Sequence, residues 1–133
     1  LGVWVSALNE CNYCVEHHFS GLKRLLGDDV RADAIRAAID AGDPDAAPLD
    51  DAQKIAMEYA RQLTRDPAGM KEDIVVRLRN AGFDDGEILE INQVSAYFGY
   101  ANRTVLGLGC STKGDILGLS PNKSDDPDNW NHT

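Results

Sequence analysis

The chain is poor in cysteine, in positive charge and in long apolar runs, and each shortage removes a class of protein. Three cysteines among 133 residues are too few for a disulfide scaffold. Lys and Arg number 13 against 22 Asp and Glu, a formal net charge of −9. Such a chain repels a phosphate backbone, and no stretch gathers basic residues with aromatics, so nucleic acid is not an expected partner. No apolar run approaches the roughly 18 residues that span a bilayer, so a membrane is not an expected partner either. The chain opens on "LGVWVSAL", without methionine and inside what reads as an ordered element. The natural N-terminus is therefore expected upstream, and the lack of a leader in these residues says little about localisation. Cysteine usage favours a reducing, cytoplasmic setting. Also missing is the alternation of a half-buried strand, apart from the ambiguous "VWVSAL".

What is present is helical punctuation. Hydrophobic residues at 43% and charged residues at 26% describe an ordinary globular chain, long enough for one domain with a core. Residues 11–26 place Cys11, Cys14, Val15, His18, Leu22, Leu25 and Leu26 at the three-four spacing of one helical face. Gly27 stops that helix, and Asp28 or Asp29 starts the next, about 29–41, with Val30, Ala34, Ile35, Ala38 and Ile39 on its face. A turn-rich connector, "DAGDPDAAPLDD", leads to a helix over 50–65 carrying Ala52, Ile55, Ala56, Tyr59, Ala60 and Leu63. A short helix over about 70–80 follows, carrying Ile74, Val75 and Leu78. "FDDGE" then offers Asp84 as N-cap and Glu87 as its capping-box partner for a long helix over 85–107. The expectation is an all-α, single-domain bundle of five to six helices over 1–110, with an irregular tail over 111–133.

The chemistry concentrates in "NECNYCVEHHF", residues 9–19. At about 3.6 residues per turn, positions 11, 14 and 18 fall within roughly 60° of one another, and His17 projects to the side. A thiol attacks only as thiolate, and its pKa falls at a helix N-terminus or beside a positive imidazole. Cys11 and Cys14 are expected in the first turn, with His18 four residues after Cys14 to take or return a proton. Two thiols at this spacing can also close a disulfide. Two other assignments stay open. A structural zinc site needs four ligands, usually as two pairs, whereas one pair exists here and Cys110 and His132 have no ligand-like neighbours. The cysteines could also be small, inert core residues. No metal and no cofactor is expected.

"VSALNECNYCVEHHFSGL" resembles the CxxCxxxH core of the alkylhydroperoxidase D-like proteins, within the carboxymuconolactone decarboxylase superfamily. "YARQLTRDPAGMKEDIVVRLRNAGFDDGEILEINQVSAYFGYANRTVLGLG" and "LGLSPNKSDDPDNW" look like its peroxidase-related branch, so the likeness runs over nearly the whole chain. The resemblance implies an all-helical fold, assembly into homo-oligomers (dimer, trimer or hexamer), and thiol-dependent reduction of hydroperoxides with a dithiol or protein reductant. Carried over by position, Cys14 is the peroxidatic thiol, Cys11 the resolving thiol and His18 the proton-relay residue. Two departures stand out. Tyr13 occupies the place of a second histidine in the best-known member, and the family's relay glutamate would fall just upstream of Leu1. Glu10 and Glu16 are nearby carboxylates, but Glu16 points away from the 11-14-18 face and Glu10 lies at its edge. Relatives without the cysteine pair do other chemistry, including lactone decarboxylation, so a lyase-type activity is one alternative. A non-catalytic helical assembly or binding module with inert thiols is the other.

Elsewhere, Tyr97, Phe98, Tyr100, Asn102 and Arg103 cluster on the long helix. They could line a pocket facing Cys14, but core packing of the aromatics and an ion pair for Arg103 is the simpler expectation. Cys110 reads as structural, Trp130 as an anchor for the tail, and "SDDPD" as a solvated turn.

Overall fold

The computed structural model describes residues 1–118. Six α-helices make up this part of the chain, and no strand occurs among the described residues. They are α1 (Gly2–Leu8), α2 (Asn12–Leu26), α3 (Asp29–Asp40), α4 (Asp51–Arg65), α5 (Glu72–Asn80) and α6 (Asp85–Gly107). Short 3-10 turns at Pro44–Ala46 and Pro67–Gly69 fill two connectors. The segment expected as a tail is described as far as Gly118, and Trp130, His132 and "SDDPD" lie outside the described residues.

The ambiguous "VWVSAL" is helix α1, and its ambiguity has a physical cause. Val3, Trp4, Val5, Ser6 and Leu8 are all buried, so the helix has no polar face to mark its period. It packs on α2, α3, α4 and α6, and is the central element of the bundle. Trp4 donates its indole N–H to the Met57 carbonyl at 3.0 Å, tying α1 to α4. Around it, Val15, Ile35, Ile39, Met57 and Ala60 complete the larger core. A second cluster joins α4, α5 and α6 through Ala56, Tyr59, Ile74, Leu78, Ile88 and Ile91.

The start signals read from the sequence hold where they depend on local chemistry. Asp84 caps α6 and Glu87 answers it, Asp50 and Gln53 do the same for α4, and Asp28 caps α3. Facing is less legible. Leu25 and Val30 are 88% and 83% exposed, and Ala34 is exposed as well, although all three fit the expected stripes. Leu22 and Leu26 of α2 stay packed on the core while Leu25 beside them turns to solvent, and Ala32 takes the core position on α3 in place of Ala34. No described helix is long and apolar enough to cross a membrane.

Candidate functional site: a buried thiol pair at the start of α2

The turn from α1 into α2 sets the two sulfurs. Glu10 adopts φ +57°, a left-handed conformation uncommon for a side-chain-bearing residue, and this reverses the chain within two residues. The Cys11 N–H then returns to the Ser6 carbonyl at 2.9 Å, while the Cys11 carbonyl accepts the first helical bond, from Val15. Cys11 is thus the N-cap residue itself rather than part of the first turn, and no side chain caps the helix. Cys14 follows three residues into that turn. The two sulfurs stand 2.9 Å apart, both thiols free, at 0% and 3% exposure.

Burial reverses one expectation. The helix start and a neighbouring imidazole predict a lowered thiol pKa. Instead the Cys14 thiol is pushed up to about 11, first by burial and then by its hydrogen bond to Cys11. Against this, a hydrogen bond from Asn102 favours the thiolate. Asn102, wholly buried on α6, donates to the Ser6 hydroxyl at 3.0 Å and accepts from the Asn9 amide at 3.0 Å. One side chain therefore joins α1, the reversing turn and α6 beside the Cys14 sulfur. Its signal in the sequence is an amide on the stripe that buries Ile88, Ile91 and Ser95, where an apolar residue is the ordinary choice.

The raised thiol gives a pH dependence with a definite sign. A thiolate scarce at neutral pH becomes more abundant as pH rises, so alkylation of Cys14 by iodoacetamide is expected to accelerate about tenfold per pH unit above 7. It should level off near pH 11, where the thiol is half ionised. A plateau already reached at pH 8 would show a lowered thiol instead.

The two histidines part company. His18 is exposed at the surface, with its ring edge-on to Phe98 at 4.6 Å, and the partial burial of that ring, then the charge of His17, push its pKa down. It has no hydrogen-bond partner among the described residues, and neither nearby carboxylate serves it. Glu10 is exposed, and Glu16 is held by Arg36 at 2.8 Å on the α3 side. His17 carries the carboxylate contact, Nε2 to Asp115 Oδ2 at 3.1 Å, and lies 4.5 Å from the Tyr13 ring.

The simpler expectation for the α6 cluster needs correction. Tyr97 and Tyr100 are 60% and 68% exposed, so they are not core residues. Of the three aromatics only Phe98 reaches inward, lying directly on Gly2 of α1. Arg103 forms no ion pair among the described residues and donates to the Gly99 carbonyl at 2.6 Å. Cys110 is an exposed free thiol. A cleft of ≈ 620 Å³, bordered by Trp4, Asn12, Arg36, Arg61 and Arg65, touches neither sulfur. Among the described residues no three His, Cys, Asp or Glu side chains converge as metal ligands.

No family model and no curated protein matches the chain. Among solved structures it is similar to an uncharacterized peroxidase-related protein from Silicibacter sp. TM1040, with 29% identity and a TM-score of 0.73. That match covers 83% of this chain and 55% of the other, so the chain corresponds to little more than half of that relative's length. The fold is that of a protein described as peroxidase-related.

Proposed function

We propose that the chain is a thiol-dependent peroxidase of the alkylhydroperoxidase D-like kind, with Cys14 as nucleophile and Cys11 as resolving thiol. The observation that carries this is the sulfur pair, 2.9 Å apart at an uncapped helix start, with the buried Asn102 amide on Cys14. The Asn102 amide ties α6 to Ser6 and Asn9 and also favours the Cys14 thiolate, so the same side chain serves both packing and the sulfur. The Cys14 thiolate attacks the distal oxygen of a hydroperoxide, the O–O bond breaks, and the alkoxide leaves and takes a proton. The resulting sulfenic acid condenses with the Cys11 thiol, releasing water and forming a disulfide. A dithiol or a protein reductant then restores both thiols by exchange. The resemblance makes His18 the relay residue in this scheme, and its neutral, exposed ring can accept a proton. Further copies of this chain are the remaining partner, and the exposed apolar side chains of α6, Leu89, Val94, Tyr97 and Tyr100, offer them a face.

A specific observation favours a second reading, a helical assembly module with inert thiols. A Cys14 thiol held at about 11 is almost wholly protonated at neutral pH. One experiment separates the two. Stoichiometric hydroperoxide at neutral pH is expected to remove two hydrogens from the protein within minutes, with Cys11 and Cys14 linked in the peptide map. Unchanged mass and two free thiols after an hour would favour the inert module.

A further inference from the structure

The cleft that avoids the sulfurs joins an apolar floor to a basic border. Its floor is the outer edge of the main core, formed by Trp4, Leu8, Val15 and Ile39. Its volume of ≈ 620 Å³ is of the size that holds a small organic molecule. Three arginines stand at the border, Arg36 from α3 and Arg61 and Arg65 from α4. A chain with a formal net charge of −9 thus places three of its 13 basic residues around one cleft.

The three cations are not equivalent. Arg36 is committed within the fold: its guanidinium meets Glu16 and Asp40, each at 2.8 Å, and stands over the Phe19 ring at 5.1 Å. Arg61 and Arg65 are exposed, and among the described residues their side chains make no ion pair and no hydrogen bond. Glu58, one turn before Arg61, is held by both arms of Arg77 at 2.7 and 2.6 Å, so Arg61 acts on it only through its longer-range charge. Four residues apart, positions 61 and 65 share one side of α4, where two planar forks can close on a single carboxylate. Two carboxylates also border the cleft. Arg36 holds one of them, Asp40, and Glu10 on the reversing turn is the other, which leaves the border in net positive charge.

We propose that this cleft binds a small amphiphilic carboxylate, with Arg61 and Arg65 holding the anionic head and the floor from Trp4 to Ile39 meeting the apolar body. An inorganic anion would leave the floor unused, and a neutral apolar molecule would leave both guanidinium groups to water. The two features together select a molecule that carries both parts. The proposal stands apart from the peroxidase reading, because the cleft touches neither sulfur.

The test is calorimetric titration of the intact chain at neutral pH with butanoate, hexanoate, octanoate, octanamide and inorganic phosphate. It is run on wild type, R61Q, R65Q and R31Q, the last an exposed arginine of α3 that does not border the cleft. Octanoate is expected to bind saturably, with affinity rising about twofold for each added methylene, since the open cleft covers only part of the body. Octanamide should bind about tenfold more weakly, and R61Q and R65Q should each lose about tenfold for octanoate. R31Q should stay within about twofold of wild type, because exposed charges at a distance are screened. No saturable binding of octanoate at millimolar concentration overturns the proposal. So does a flat chain-length series, or phosphate bound as tightly as octanoate, since either shows a site for the charge alone. An equal loss in R31Q also overturns it, by assigning the effect to net charge. If octanoate fails to bind while R61Q and R65Q change the sedimentation of the protein, the cleft is a contact between copies of the chain and the proposal falls.

Discussion

Replacing Cys14 by serine is expected to abolish hydroperoxide consumption, with a fall of about 10³-fold or more in kcat/KM, or roughly 4 kcal/mol in the barrier. The reason is chemical as well as geometric. A serine hydroxyl is not oxidised by peroxide, and the hydrogen bond from Asn102 then has only a neutral oxygen to meet. The Cys11→Ser variant should behave differently. It retains the nucleophile and consumes one equivalent of hydroperoxide, then stalls as a Cys14 sulfenic acid that a dimedone label captures. This contrast assigns the two sulfurs separately. Equal loss in both variants, with no trapped sulfenic acid in Cys11→Ser, would contradict the order of events.

The largest expected effect on stability comes from a residue far from any chemistry in the sequence. Trp4→Ala should cost about 3–5 kcal/mol, because it empties a large volume at the centre of the bundle. It also removes the donor that ties α1 to α4. Against a total of about 5–15 kcal/mol, that is a large share. The melting temperature should fall by on the order of 10–20 °C. Leu25→Ala makes the comparison, since its side chain is 88% exposed and its loss should change stability by less than about 0.5 kcal/mol. A Trp4→Ala protein that melts within a degree or two of wild type would show that α1 is peripheral rather than central.

The sequence disclosed most where local chemistry decides. The capping residues Asp28 and Asp84, the stop at Gly27 and the bounds of α6 follow from side chains bonding to their own helix ends. The pairing of Cys11 with Cys14 is equally local. What stayed hidden depends on partners distant along the chain. Nothing within α1 says that it is surrounded, since a helix buried on all sides has no pattern. The reversal at Glu10, which removes Cys11 from the helix and makes it the cap, needs a backbone conformation that its side chain does not advertise. The rise in the Cys14 pKa arises from burial, to which α1 and α6 contribute and which the motif does not contain. Helical angles also could not foresee the carboxylate of Asp115 that meets His17.

That long reach bears on how the molecule is made. The sulfur pair closes over three residues, whereas the Asn102 bonds to Asn9 and Ser6 span 93 and 96 residues, and the Asp115 contact spans 98. Local contacts form early and distant ones last, because closing a long loop costs more entropy. During synthesis, and again in every refolding event, the two thiols therefore meet each other in water before the amide and the carboxylate arrive. Whatever control the finished fold has over their oxidation is imposed late, by docking of α6 and the strand of chain that follows it. The time at which the thiols become resistant to a pulse of alkylating reagent is then a clock for that final step.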